Sequence, residues 1–172
     1  MEDKHWKNYI SNIEPRVNKL INAGFYYETV FLFSNILEAE LTHLIKEYQR
    51  SCKHILNNEK IKFYPSKWVN TEKLTLGMLR KYISVFIKDK KILNKIDKFN
   101  NLRKKTIHKL LDQQLIGLKK EILEKEISGF VSEFYKLMEE LIDKRIAIMK
   151  NLNKYKEKAL IYEYKIKRKK RK

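Results

Sequence analysis

Apolar residues recur at spacings of three and four along most of this chain, which is the period of one face of an α-helix. A clear example is the stripe formed by Val30, Phe33, Leu37, Leu41, Leu44 and Tyr48. Only four glycines and two prolines occur in the 172 residues, so turns should be few and helices long. We therefore predict an all-α fold, an antiparallel bundle of four to five helices with short connections.

Turn-forming residues mark the helix boundaries in the first half of the chain. Pro15 is a favoured first helical residue and Gly24 a favoured end, so we predict a short first helix between them. The second helix should run to about Leu56. Residues 57–73 are rich in turn formers, which predicts a connecting loop that Tyr64 and Trp68 attach to the core.

Similar signals divide the second half. Thr75 is predicted to be the N-cap of a third helix, and Asp89 should cap a fourth helix that ends near Leu111. A break near Gly117 separates this helix from a long final one. The apolar residues expected in the core from this half are Leu76, Leu79, Ile83, Phe86, Ile92, Ile96, Phe99, Ile107, Leu123, Ile127, Phe130, Phe134, Leu137 and Leu141.

The formal net charge is +18, from 39 Lys and Arg against 21 Asp and Glu. Half of this charge lies in residues 150–172, which hold eleven basic and two acidic residues. We therefore distinguish a helical domain, residues 1–149, from a basic extension, residues 150–172, whose terminal like-charged run should be disordered when unbound. Such a charge indicates a polyanionic partner, with nucleic acid first. The alternative explanation is the codon bias of an AT-rich genome towards Lys, Asn and Ile.

Several kinds of protein are not indicated by the sequence. Cys52 has no second cysteine with which to form a disulfide, which fits a reducing compartment. The N-terminus lacks the apolar core of a signal peptide, and no apolar stretch has the length of a membrane span. No Gly-rich phosphate loop, zinc-ligand spacing or nucleophile elbow occurs. We expect a soluble, cytoplasmic protein that uses no metal and no cofactor.

One residue breaks the apolar pattern of the fourth helix. On an ideal helix Arg103 lies about 20° from Ile96, in the middle of the apolar stripe. An arginine directed at a core needs an anionic partner, a path to water or an interface. One interpretation is a structural ion pair with Glu38 or Glu40 of another helix. The other is a guanidinium that lines a functional groove.

His108 follows Arg103 by five residues, in a turn that also contains Lys104, Lys105 and Lys109. It is either a surface histidine in a lysine-rich turn or a group for phosphodiester chemistry. In the second case the imidazole takes or gives a proton while Arg103 stabilises charge on the phosphate. The two side chains are about 140° apart on an ideal helix. They suit one phosphate only if the helix ends between them or a second chain contributes.

The segment Phe99-Asn100-Asn101-Leu102-Arg103-Lys104-Lys105-Thr106-Ile107-His108-Lys109-Leu110 resembles the Arg-x(4–6)-His signature of the HEPN superfamily of helical nucleotide-binding domains. The surroundings are similar too. Gly24-Phe25-Tyr26 leads into a long helix with the pair Leu37-Glu38, and Leu76-Gly77-Met78-Leu79 opens the third helix. The resemblance covers about residues 15–145 and leaves out the basic extension.

The resemblance implies a HEPN-like bundle and a metal-independent endoribonuclease of a toxin–antitoxin or other defence system, acting on single-stranded RNA. It implies that the ribose 2′-hydroxyl attacks the adjacent phosphate, with Arg103 and His108 as catalytic residues. It also implies a homodimer in which two motifs form one cleft. On this hypothesis the RNA-binding residues are Asn101, Lys104, Lys105, Lys109, Lys167, Arg168, Lys169, Lys170 and Arg171.

Two positions depart from the family pattern. Lys104 follows the arginine, where a small polar residue such as Asn is frequent, and this changes the surroundings of the guanidinium. Leu110 stands where members modified by a partner nucleotidyltransferase carry a tyrosine, so that subtype is disfavoured.

Two other functions stay open on the sequence alone. One is a catalytically inactive module that binds RNA or nucleotides. The other is a helical interaction protein of a toxin–antitoxin or defence complex, which docks to an acidic antitoxin and holds Arg103 in a buried ion pair. Attachment to an anionic membrane ranks last, because the apolar stripes are needed to pack against one another.

Overall fold

The computed structural model describes the backbone of residues 3–58, 70–71, 74–116 and 120–169, and the side chains of residues 11–55, 70–71, 74–108 and 124–153. Within these ranges the regular structure is helical throughout, so the all-α prediction is confirmed. The helices are α1 Asp3–Asn22, α2 Tyr26–Asn58, α3 Leu76–Phe86, α4 Lys90–Ile116 and α5 Lys120–Lys169. None of these described helices combines the length and apolarity needed to cross a membrane.

The predicted start of the first helix at Pro15 is wrong. Helix α1 begins at Asp3 and contains Pro15 in its interior. A proline inside a helix removes one backbone hydrogen bond, but the apolar face continues through it. Ile13 packs against the core on one side of the proline, and Val17 is buried on the other. Tertiary packing of this face therefore outweighs the local preference of the proline.

The predicted end of the first helix at Gly24 is confirmed. Gly24 has φ 74°, a left-handed conformation that glycine adopts without strain. Its N–H donates to the carbonyl of Ile21 at 2.9 Å, and the N–H of Phe25 donates to the carbonyl of Leu20 at 2.8 Å. These two bonds form a Schellman motif. The motif ends α1 and turns the chain directly into α2.

The two predicted caps in the second half of the chain stand where expected. Thr75 is the N-cap residue of α3, with extended backbone and no hydrogen bond from its own side chain. Asp89 accepts a bond from the N–H of Lys91 at 2.9 Å and so caps α4. Helix α4 continues to Ile116, five residues beyond the predicted end at Leu111. The predicted break at Gly117 lies outside the described residues.

The main core contains residues from all five helices, and a second, smaller cluster contains Val30 and Ile127. Phe33 of α2 stacks on Phe134 of α5 with ring centroids 4.0 Å apart, and Phe99 of α4 packs beside Phe134 at 5.5 Å. Helix α1 adds Val17 and α3 adds Leu79. The buried residues include most of the predicted stripes, namely Val30, Phe33, Leu37, Leu41, Leu44, Leu76, Leu79, Ile83, Ile92, Ile96, Phe99, Ile127, Phe130, Phe134, Leu137 and Leu141.

Helix α3 runs parallel to α2, which departs from the predicted antiparallel order with short connections. Glu38 of α2 contacts Leu76 at the start of α3, and Tyr48 stacks on Phe86 at its end. Helix α2 extends to Asn58, about 30 Å beyond Glu38. The connection between α2 and α3 therefore starts at Asn58 and must return to the level of Glu38, where α3 begins. Most of it, with the predicted anchors Tyr64 and Trp68, lies outside the described residues.

Helix α2 is central and contacts each of the other four helices. It is parallel to α5, because Phe33 contacts Phe134 and, further along both helices, Glu40 pairs with Arg145. Helix α4 runs antiparallel to α5, as two lysine–glutamate ion pairs between them require. Helix α4 is thus held by α2 on one side and by α5 on another.

Helix α5 crosses the predicted boundary between the helical domain and the basic extension. Leu152, just beyond that boundary, is buried, and the backbone is helical to Lys169. The first residues of the extension therefore pack as part of the bundle. Disorder of the terminal basic run stays a prediction, since the side chains after Asn153 and residues 170–172 are outside the described part of the chain.

A buried ion pair connects α2 with α5. Arg145 donates from Nε to Oε1 of Glu40 at 2.7 Å, and Glu40 is buried. Burial raises the pKa of the Glu40 carboxyl above its ordinary value, while the charge and hydrogen bond of Arg145 oppose this shift without cancelling it. Ionised Glu40 is therefore less favourable in the folded protein than in water, even with its partner.

The stacked pair of Phe33 and Phe134 should be a main source of stability. Replacing Phe134 by Ala removes a buried ring and is expected to lower the free energy of unfolding by about 3–5 kcal/mol. The control is Phe31→Ala, since Phe31 of α2 is exposed and its loss should change stability by about 1 kcal/mol or less. Urea unfolding followed by circular dichroism measures both; equal effects would contradict the packing described.

The raised pKa of Glu40 gives stability a defined pH dependence. Protonation of Glu40 favours the folded state, so its contribution is full below about pH 4.5 and is lost as the pH rises through the raised pKa. The wild-type protein should therefore lose stability relative to Glu40→Gln, which cannot ionise, as the pH rises above about 4.5. Urea titrations of both proteins across this range measure the difference, and a wild-type advantage that grows with pH would show the opposite sign.

Candidate functional site

Arg103 lies on the side of α4 that faces α2, as its place in the apolar stripe indicates. Its Nη1 donates to Oε1 of Glu38 at 2.9 Å. The side chains are 21% and 30% exposed, so the ion pair is partly buried and still reaches solvent. Of the two predicted partners, Glu38 takes this position, while Glu40 pairs with Arg145.

Glu38 holds three helices together. Its Oε1 also accepts a hydrogen bond from the backbone N–H of Leu76, the first residue of α3, at 3.2 Å. The first N–H groups of a helix have no partner within it and favour a nearby negative charge. Glu38 supplies that charge, whereas the side chain of Thr75 makes no capping bond. The bond between Glu38 and Leu76 joins residues far apart in sequence, so no local sequence pattern predicts it.

Two polar groups on the buried side of α4 have no hydrogen-bond partner among the described residues. They are Nε of Arg103 and Oδ1 of Asn100. Asn100 is buried and precedes Arg103 by nearly one helical turn. An unpaired buried polar group costs roughly 1–3 kcal/mol. The buried side of α4 therefore carries polar groups at this position.

The opposite side of α4 is an exposed polar face, which we call the α4 basic face. It consists of Asn101, Lys104, Lys105 and His108, all of which are exposed. On a regular helix they cover an arc of about 100°, centred on the side of α4 that faces away from Arg103. The structure therefore places His108 together with the two lysines and the asparagine.

Arg103 and His108 do not share a surface within one chain. Helix α4 is continuous to Ile116, so it does not end between them. They are separated by about 140° around the helix and about 7.5 Å along it. The sequence left two ways for both groups to reach one phosphate, a helix end between them or a second chain. The continuous helix excludes the first. If both groups act on the same phosphate, a second chain must contribute.

Ion pairs with neighbouring helices cover part of the charge of α4. Towards its start, Asp97 pairs with Arg80 at 2.6 Å, and Lys98 pairs with Glu133 at 2.6 Å. In the described part of the chain no carboxylate pairs with Lys104 or Lys105. The α4 basic face therefore carries uncompensated positive charge beside an imidazole.

The side chains of the remaining predicted RNA-binding residues lie outside the described part of the chain. Lys109 belongs to α4, and its side chain is outside the description. The same holds for the side chains of the extension after Asn153, although the backbone of α5 is helical up to Lys169. The residues concerned are Lys109, Lys167, Arg168, Lys169, Lys170 and Arg171.

The chemical groups around α4 suit a phosphate ester. Two ammonium groups and an amide donate hydrogen bonds to phosphate oxygens, and an imidazole transfers protons. Nowhere in the described residues do three or more His, Cys, Asp or Glu side chains form a group that could hold a metal ion. The arrangement can bind a polyanion along α4 and place a proton-transfer group against it.

The ion pair of Glu38 and Arg103 should contribute measurably to stability. In a double-mutant cycle with Glu38→Ala and Arg103→Ala, we expect a coupling free energy of about 1–2 kcal/mol, because the pair is partly buried and charge-assisted. The exposed pair of Lys98 and Glu133 is the control and should give less than about 0.5 kcal/mol. Equal coupling in the two cycles, measured by urea unfolding, would contradict this role.

We compared the chain with known proteins. No family model, curated protein sequence or solved structure matches the chain. The resemblance to the HEPN signature therefore depends on the residues quoted above, and above all on Arg103 and His108 of α4.

Proposed function

We propose that this protein binds single-stranded RNA through the α4 basic face and cleaves it as a homodimer, as a HEPN-type endoribonuclease. The observation that carries the proposal is the placement of His108 among exposed Lys104, Lys105 and Asn101, where the lysines have no carboxylate partner in the described residues. A polyanion is the partner that this charge favours. Such an activity would suit a cytoplasmic toxin or defence effector.

Cleavage would proceed within the RNA chain. The ribose 2′-oxygen forms a bond to the adjacent phosphorus while the bond from phosphorus to the 5′-oxygen breaks, which gives a 2′,3′-cyclic phosphate and a free 5′-hydroxyl. One proton must leave the 2′-hydroxyl and one must reach the 5′-oxygen. His108 is the proton-transfer group in this scheme. Arg103 stabilises the extra charge that develops on the phosphate.

A homodimer is part of the proposal because of the separation between the two side chains. The 140° angle on a continuous α4 is unfavourable for a contact of Arg103 and His108 of one chain with the same phosphate. Two copies related by a two-fold axis can place Arg103 of one chain near His108 of the other. The RNA itself offsets repulsion between two chains that each carry +18.

A second candidate function is RNA binding without cleavage. The specific observation in its favour is that Arg103 is engaged by Glu38 at 2.9 Å and lies on the side of α4 opposite His108. In this case the α4 basic face binds phosphates and Arg103 is a structural residue.

A cleavage assay with a fluorescent single-stranded RNA in the presence of EDTA distinguishes the two candidates. We expect cyclic-phosphate products from the wild-type protein and a loss of rate of about 100-fold or more in His108→Ala. Binding by His108→Ala should stay within about threefold of wild type. The control Lys136→Ala changes an exposed lysine of α5 and should behave as wild type.

Binding measured against salt concentration tests the lysines separately. Replacing Lys104 and Lys105 by Ala should reduce the slope of log affinity against log salt by about 1.4, since each lost phosphate contact on a single strand contributes about 0.7. Binding without products would leave only the second candidate. Unchanged cleavage by His108→Ala would rule out its proposed role, and an absence of RNA binding would reject both candidates.

A further inference from the structure

Helix α3 has a second apolar face that the described residues leave exposed. Met78, Tyr82 and Val85 are 45%, 37% and 61% exposed. Their spacing of four and three puts them on one stripe, about 60° wide and roughly 10 Å long, which we call the α3 stripe. The neighbouring face of the same helix is buried in the core through Leu76, Leu79 and Ile83.

The size of the α3 stripe fits one helix of a partner. Apolar anchors at positions i, i+4 and i+7 are the pattern by which a helix packs against one amphipathic helix. A stable interface between two globular chains needs about 800 Å² on each side, which three side chains on an 11-residue helix do not supply. The stripe is therefore suited to a narrow partner.

The charged residues around the α3 stripe indicate the charge that its partner should carry. Helix α3 contains no acidic residue. Lys81 and Lys88 are exposed beside the stripe and beyond its end, while Arg80 is already paired with Asp97. An apolar stripe with a basic rim is complementary to an apolar stripe with an acidic rim.

We propose that the α3 stripe docks an acidic amphipathic helix of a partner protein. A second copy of this chain is a poor occupant, because its own stripe would present the same lysines and no carboxylate from α3. The proposal does not depend on RNA cleavage, since none of the residues of the stripe belongs to the α4 basic face.

Binding of a synthetic peptide tests the proposal. The probe is a fluorescent helical peptide of about five turns with leucines at i, i+4 and i+7 and glutamates on both flanks; a peptide of the same composition in scrambled order is its control. Fluorescence anisotropy should show that the full-length protein prefers the ordered peptide at least tenfold. Val85→Glu and Lys88→Glu should each weaken this binding about tenfold or more.

Matched variants away from α3 control for general effects. Phe31→Glu alters an exposed apolar residue of α2 and Lys136→Glu an exposed lysine of α5; both should change the affinity less than about twofold. Circular dichroism checks that every variant is folded. Equal binding of the two peptides, or unchanged binding by folded Val85→Glu, would overturn the proposal. Self-association of the wild type that Val85→Glu abolishes would assign the stripe to a second copy and overturn it as well.

Discussion

The carboxylate of Glu38 is the point on which the arrangement around α4 depends. Helix α3 runs parallel to α2, so its first turn must be fixed midway along α2 rather than by a tight connection. Glu38 does this by accepting the backbone N–H of Leu76, and it binds Arg103 of α4 with the same oxygen. Because Arg103 is held towards α2, the opposite side of α4 is left for His108 and the lysines.

The local sequence pattern predicted which residues are buried, but it did not predict the directions of the helices relative to one another. The helical period predicted the core residues of α2, α3, α4 and α5 because it reports directly which face is hidden. It failed at Pro15, where a local rule for helix starts was followed although the apolar face continues through Ile13 and Val17. The parallel direction of α3 was missed because it is set by contacts such as Glu38 with Leu76, which sequence spacing does not encode.

The candidate site was predicted in part. The unusual place of Arg103 in an apolar stripe identified an ion pair with Glu38 or Glu40 as one of two interpretations, and helical geometry placed His108 about 140° from Arg103. The sequence could not show that α4 continues to Ile116, nor that Lys104 and Lys105 have no carboxylate partner among the described residues. These facts depend on the packing of α4 against its neighbours. They place Arg103 on the side of α4 that faces α2 and His108 on the α4 basic face.

In the proposed mechanism Arg103 and His108 of different chains act on the same phosphate, and mixing two inactive variants tests this most directly. Arg103→Gln and His108→Ala proteins would be unfolded and refolded together so that subunits exchange, and RNA cleavage would then be measured. A mixed dimer keeps one intact guanidinium on one chain and one intact imidazole on the other. Cleavage that returns in the mixture and peaks at equal amounts is the predicted result. Mixtures that remain as inactive as each variant alone, with mixed dimers present, would rule out a site shared between two chains.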